Sequence, residues 1–256
     1  MISSEQILIF TLVFLRISAL LIMIPVIGER AVPVRVKGGL AILISLLVFP
    51  AVSADMNSLP PEKEIFTLAI AMIGEIMIGI VIGITTKIIF AGIQFAGEMI
   101  GIQIGFSIVN VIDPVTSTQV SVIAEFQYLI ALLVYLAIDA HHTLILAIVD
   151  SYRIVSPFSY HFSGALMNHI LILSRELFIM AIKISAPIMA VLLFTNVALG
   201  VVARTVPQIN VFIVGFPVQI TVGLIVFGLT APLFVMLVQG VLSNLNIDVY
   251  TLFRLM

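Results

Sequence analysis

The chain is expected to fold as an all-α membrane protein built of long helices and helical hairpins, and three observations carry that expectation. Hydrophobic residues fill 62% of its 256 positions and charged residues only 9%, against about a quarter charged in soluble domains. Mean hydropathy is +1.30, so too few polar side chains exist to cover a water-facing globule of this size. The apolar residues fall in long runs without period-two alternation, which selects helices over a β-barrel as the spanning elements. A soluble enzyme is thereby excluded. A net charge of −2 offers no footprint for nucleic acid, and zero cysteines remove disulfides, thiolate zinc sites, iron–sulfur clusters and cysteine nucleophiles.

The first run, Ile7 to Ile27, is too long for a signal-peptide h-region and lacks a basic leader, so it is expected to direct its own insertion. Pro25, Gly28 and Pro33 in "PVIGERAVPVRVK" end it. The second, Gly38 to Val52, is charge-free and stops at "SADMNSLPPEKE". Arg30, Arg35 and Lys37 share the first connection while the next is acidic, which places the first loop in the cytoplasm and the N-terminus outside. The third run, from Ile65 to about Gly105, would be about 60 Å long as one helix. That is about twice a bilayer core, so it is either two spans or an unusually long rod. A fourth run, Val122–Val149, carries Asp139, His141 and His142. A fifth runs from about Leu166 to Ala203 with Pro187 inside it. "ARTVPQIN" interrupts before the last, from Val211 to about Leu242.

Charges lie inside these runs: Arg16, Glu75, Lys87, Glu98, Glu125, Asp139, Arg175, Glu176 and Lys183. Each costs about 2.5–3.5 kcal/mol near a bilayer centre. Arg16 and Lys183 can reach an interface by snorkelling, whereas Glu75, Lys87 and Glu98 are expected to be buried against protein or a water-filled lumen. Glycines agree, since Gly79 and Gly83 stand four apart and Gly97, Gly101 and Gly105 repeat the spacing. Such a stripe on one helix face lets another backbone approach closely, whether internal or from another subunit.

Reactive chemistry is thin. Asp139, His141, His142 and Asp150 resemble a loose metal or proton-relay set, but no HExxH, GxSxG or Walker spacing accompanies them, and "DAHH" reads as a polar cap at a span end. No catalytic residue, cofactor or metal is expected. The polar segment Phe106–Val122, with Asp113-Pro114, is either an ordinary surface connection or a re-entrant loop plugging a pore.

Several motifs together resemble the FliR/SctT family, the export-gate component of flagellar and type III secretion systems. These are "FLRISALLIMIPVIGERAVPVRVKGGLA", "GEIMIGIVIG", "AGIQFAGEMIGIQIGFSIVNVIDP", "HHTLILAIVDSY" and "APIMAVLLFTNVALGVVARTVPQINVFIVGFPVQITVGL". The last is the most specific, since Arg204, Pro207, Gln208, Asn210, Phe212, Gly215 and Pro217 fall together, and its "RTVPQINVFIVGFPVQI" leans flagellar. One departure is "IDAHH", where relatives often carry a glycine just before the histidine.

The resemblance implies one copy of this chain among several FliP and FliQ subunits in a helical pore assembly at the cytoplasmic membrane, in the flagellar basal body. FlhA-type and FlhB-type export components stand beside it, unfolded secreted proteins are the cargo, and nucleic acid is no partner. It implies a FliP-like part over residues 1–165 and a FliQ-like hairpin with the C-terminal tail over 166–256. It also implies a plug loop at 105–122, beginning at Gly105, with Phe106, Ile108, Val109 and Val111 sealing the closed pore and Asn110, Asp113 and Pro114 shaping it. Glu75, Gly79, Gly83, Gly97, Gly101, Arg204, Pro207, Gln208 and Asn210 are then expected at subunit-packing faces. Apolar side chains crowding a constriction dewet it and block ions, and an arriving unfolded chain would displace the loop. The competing reading is a secondary transporter that uses the intramembrane charges as its ion path.

Overall fold

The computed structural model describes residues 4–29, 31–55, 65–106, 121–156, 158, 160–161, 163–206, 208 and 210–256. Among them are seven helices and no strand: α1 (Ser4–Met23), α2 (Val34–Asp55), α3 (Ile65–Ile104), α4 (Val122–Ala137), α5 (Ala140–Ile154), α6 (Gly164–Thr205) and α7 (Val211–Leu255). The third apolar run is one rod of 40 residues, and α6 and α7 run to 42 and 45. Five helices are long and apolar enough to cross a membrane, and α4 with α5 form a sixth candidate bent by 62°.

Local chemistry sets the boundaries. After Met23 the chain turns through Val26 at φ 74, and Gly28 closes the turn with its N–H on the Ile24 carbonyl at 2.8 Å. Lys37 of α2 then donates to the Gly28 carbonyl at 2.9 Å. α3 ends at Gly105, whose φ of 100 only glycine adopts without strain, and the Phe106 N–H reaches back to the Gly101 carbonyl at 3.1 Å. Hydroxyls inside the apolar helices bond back to their own backbone, as Ser45 does to the Ala41 carbonyl at 2.6 Å and Thr85 to the Val81 carbonyl at 3.1 Å.

The fourth apolar run is not continuous, contrary to its hydropathy. It breaks at Asp139, which takes the left-handed conformation at φ 54, ψ 28 and separates α4 from α5. Short polar residues tolerate that region best, so an aspartate inside an apolar stretch is where the bend falls. The last helix also runs past Leu242. Leu245, Val249, Leu252 and Phe253 continue a buried stripe at helical spacing through its polar end.

Two compact units share the long helices. One comprises residues 1–88, 135–174 and 242–256, and the other 89–134 and 175–241. In the first, α1 packs along α2, and Val81, Leu166, Leu173 and Leu252 gather into an apolar cluster flanked by Ile88 and Ile170. The Ser163 hydroxyl and the His161 N–H close its C-terminal end on the carbonyls of Leu255 and Met256. In the second, edge-on aromatic pairs join α3 to α4 (Phe90–Tyr128, 5.4 Å) and α3 to α6 (Phe95–Phe178, 5.7 Å). Asn196 of α6 and Gln219 of α7 are hydrogen-bonded to each other across the hairpin.

Candidate functional site

The polar centre of the first unit is Arg16. Its guanidinium and the Glu75 carboxylate are both buried, at 0% and 1% exposure, and meet fork to fork: Nε to Oε2 at 2.6 Å and Nη2 to Oε1 at 3.0 Å. Nη1 donates to the Ser151 hydroxyl at 2.8 Å, and Nη2 also donates to the Val155 carbonyl at 3.2 Å. The Tyr152 ring lies 3.9 Å below the guanidinium carbon, and its phenol donates to the Val13 carbonyl at 3.4 Å. One cation thus ties α1, α3 and the end of α5 into a single arrangement. A buried charge needs this density of partners, because neither lipid nor an apolar core will solvate it. Arg16 does not snorkel to an interface. Ser151, Tyr152 and Val155 are additions of the structure; the legible sign is a short polar run, "DSY", inside an apolar stretch.

The glycine stripes define how close the helices come. Glu75, Gly79 and Gly83 share one face of α3, four residues apart, and that face meets α1. A Cβ on Gly79 would land on the Arg16 carbonyl oxygen and lie 2.8 Å from the Ala19 Cβ, and one on Gly83 would land on the Met23 side chain. In the second unit Gly97 lies against the backbone of Ala124 and Gly101 against Ser121, whose hydroxyl approaches the Gly97 carbonyl at 3.5 Å. Gly223 of α7 faces Ile104 in the same unit. The residues expected at subunit faces are therefore met inside the chain at five positions: Glu75, Gly79, Gly83, Gly97 and Gly101.

The remaining expected positions are placed as follows. Gly105 and Phe106 sit at the C-terminal end of α3, Gly105 beside the Phe216 ring. Ile108, Val109, Asn110, Val111, Asp113 and Pro114 lie outside the described residues, as does Pro207. Arg204 and Gln208 are exposed. Asn210 caps α7, accepting from the Ile213 and Val214 N–H groups. Lys87 and Glu98 are exposed on this chain rather than buried, because α3 turns other faces inward at Ile82, Ile93 and Ile100. Glu125, Arg175, Glu176 and Lys183 are exposed too. Between α5 and α6, burial pushes the Tyr160 phenol above its ordinary pKa. Asp139, His141 and His142 come together at the α4–α5 bend.

What these groups do is hold helices. The Arg16 cluster fixes three of them, the glycines let backbones touch, and α7 has only 11% of its most apolar window buried within the chain, against 44% for α1. Fold and site together define an all-helical membrane protein whose long apolar helices carry exposed charges. The chain belongs to family 1 of the bacterial export proteins, whose family model matches residues 7–245. It is 37% identical to the flagellar biosynthetic protein FliR of Bacillus subtilis, over 91% of this chain and 90% of that one. It is 38% identical to the protein of that name from Pectobacterium carotovorum (86% and 83% covered) and 33% to that of Escherichia coli K12 (86% and 82%).

Proposed function

We propose that the chain is a core membrane subunit of the flagellar type III protein export gate, sited in the bacterial inner membrane at the flagellar basal body. The observation that carries this reading is the continuous likeness to flagellar biosynthetic proteins along nearly the whole of both chains. The geometry agrees with it. Helices of 40 to 45 residues are about twice what a bilayer needs, and the charges at Lys87, Glu98, Arg175, Glu176 and Lys183 sit exposed on them. Lipid is a poor surrounding for those faces and other protein chains are a good one. FliP and FliQ subunits are the proposed neighbours. The sequence division into a FliP-like part over 1–165 and a FliQ-like hairpin over 166–256 would let one chain take the place of one subunit of each kind. FlhA-type and FlhB-type components would deliver unfolded cargo.

No bond is made or broken in this role. The chain contributes shape, and energy enters through other components. The segment 105–122 is the proposed seal, held at its start by the Gly105 helix end and crowding apolar groups into the channel until cargo displaces it. Purification of the intact membrane complex followed by mass measurement tests the assembly: one copy of this chain among several smaller membrane subunits is expected, and a homo-oligomer refutes the proposal. Deleting residues 106–120 tests the seal. The complex is expected to assemble and the membrane to leak small ions, and an assembled complex of unchanged conductance refutes it.

A further inference from the structure

The sequence alone reads "DAHH" as a polar cap at a span end, and the structure places it at the start of α5 without a side-chain capping bond. Asp139 occupies the N-cap position of α5, yet its carboxylate makes no capping hydrogen bond to that helix. A capping aspartate would accept from an N–H two or three residues on. Instead Oδ1 of Asp139 faces Nδ1 of His142 at 3.2 Å. The neighbouring His141 ring lies with its centroid 4.2 Å from that of His142, inclined by 34°. It also rests against the fully buried Tyr135 ring, 6.2 Å away. The Nδ1 atom of His141 is shielded from solvent and has no hydrogen-bond partner among the described residues. A buried lone pair or N–H without a partner is costly, so the site is incomplete as it stands.

We propose that Asp139, His141 and His142 bind one divalent transition-metal ion of the zinc class. Each residue offers one ligand atom, and the three atoms lie within 4.8 Å of one another. Metal–ligand bonds of about 2.0–2.1 Å in tetrahedral geometry separate neighbouring ligand atoms by about 3.3 Å. The Asp139–His142 separation of 3.2 Å already fits such an edge. His141 reaches the same ion by side-chain rotation, and its unpartnered nitrogen makes it the group with most to gain. Two imidazoles and one carboxylate suit zinc-class ions and not magnesium or calcium, which prefer oxygen alone. The left-handed conformation at Asp139 turns the carboxylate toward the first turn of α5, so the bend itself assembles the ligand set. Two of the three side chains are open, His142 at 65% and Asp139 at 71% exposure, which leaves the fourth position to water. A helix N-terminus disfavours a cation, and the Asp139 charge offsets that.

The test uses the full chain with the subunits that accompany it, purified on a tag without histidines and stripped with chelator. Titration with Co2+ is expected to give the visible absorption of a four-coordinate site, saturating at one equivalent per chain and displaced by Zn2+. His142→Ala and Asp139→Asn, both at exposed side chains, are expected to weaken Co2+ binding by at least about 10-fold, while His161→Ala outside the cluster leaves it unchanged. Absence of a saturable absorption, or binding unaltered in His142→Ala and Asp139→Asn, overturns the proposal.

Discussion

Replacing Arg16 with methionine is expected to destabilise the chain by about 3–5 kcal/mol, the cost of stranding a buried carboxylate without its partner. Glu75 is 1% exposed and has its two oxygens on the guanidinium, so no water takes over when that group is removed. The same change strips a donor from the Val155 carbonyl and the Ser151 hydroxyl and removes the cation from the Tyr152 ring. Thermal melting of the chain in detergent, followed by helical circular dichroism, reads the loss. Arg16→Lys is expected to recover little of it, because one ammonium does not span a carboxylate fork on α3 and a hydroxyl and a carbonyl at the end of α5. The informative partner is the double variant Arg16→Met with Glu75→Leu. A buried ion pair against apolar groups of similar volume is close to neutral, so most of the stability is expected to return. If the double variant melts as low as the single one, the pair is more than a mutual neutralisation, and the hydrogen bonds to α5 carry the difference.

Much of the architecture was legible because it rests on composition and local breaks. Long charge-poor runs gave the helices, and Pro25, Gly28 and Pro33 gave the first connection. The 40-residue α3 settled a choice between two spans and one rod, since nothing between Ile65 and Ile104 breaks helix except glycines that pack. What was not legible is pairing. Arg16 and Glu75 are 59 residues apart, and Ser151 is 135 from Arg16, so spacing on any one helix says nothing of their meeting. The charges inside apolar runs named the members and left the partners open. The bend at Asp139 was missed for a related reason: hydropathy averages over a single left-handed residue. The nearness of Asp139 to His142 was legible all the same, since the two stand three residues apart.

Gly79→Val is expected to be as damaging as the loss of Arg16, and for a linked reason. Alanine in place of a mid-helix glycine ordinarily gains about 0.5–1 kcal/mol from backbone entropy. At Gly79 that gain is outweighed, because the added carbon meets the backbone carbonyl of Arg16 and the backbone nitrogen of Leu20 at 3.1 Å. Neither can swing aside as a side chain would. α1 as a whole has to move off α3, at about 1–3 kcal/mol for alanine and more for valine. Gly39, with nothing within 4 Å of an added Cβ, is the control: Gly39→Ala is expected to keep or slightly raise the melting temperature. The linkage comes from the shared face. Glu75 stands one turn before Gly79, so pushing α1 away lengthens the contacts between Arg16 and Glu75 as well. Gly79→Val and Arg16→Met therefore break one interface twice, and their combined loss in stability is expected to fall short of the sum by about 0.5–3 kcal/mol. Strict additivity in that cycle would mean that glycine packing and the ion pair hold α1 independently, and that the close approach is not what brings the guanidinium to its carboxylate.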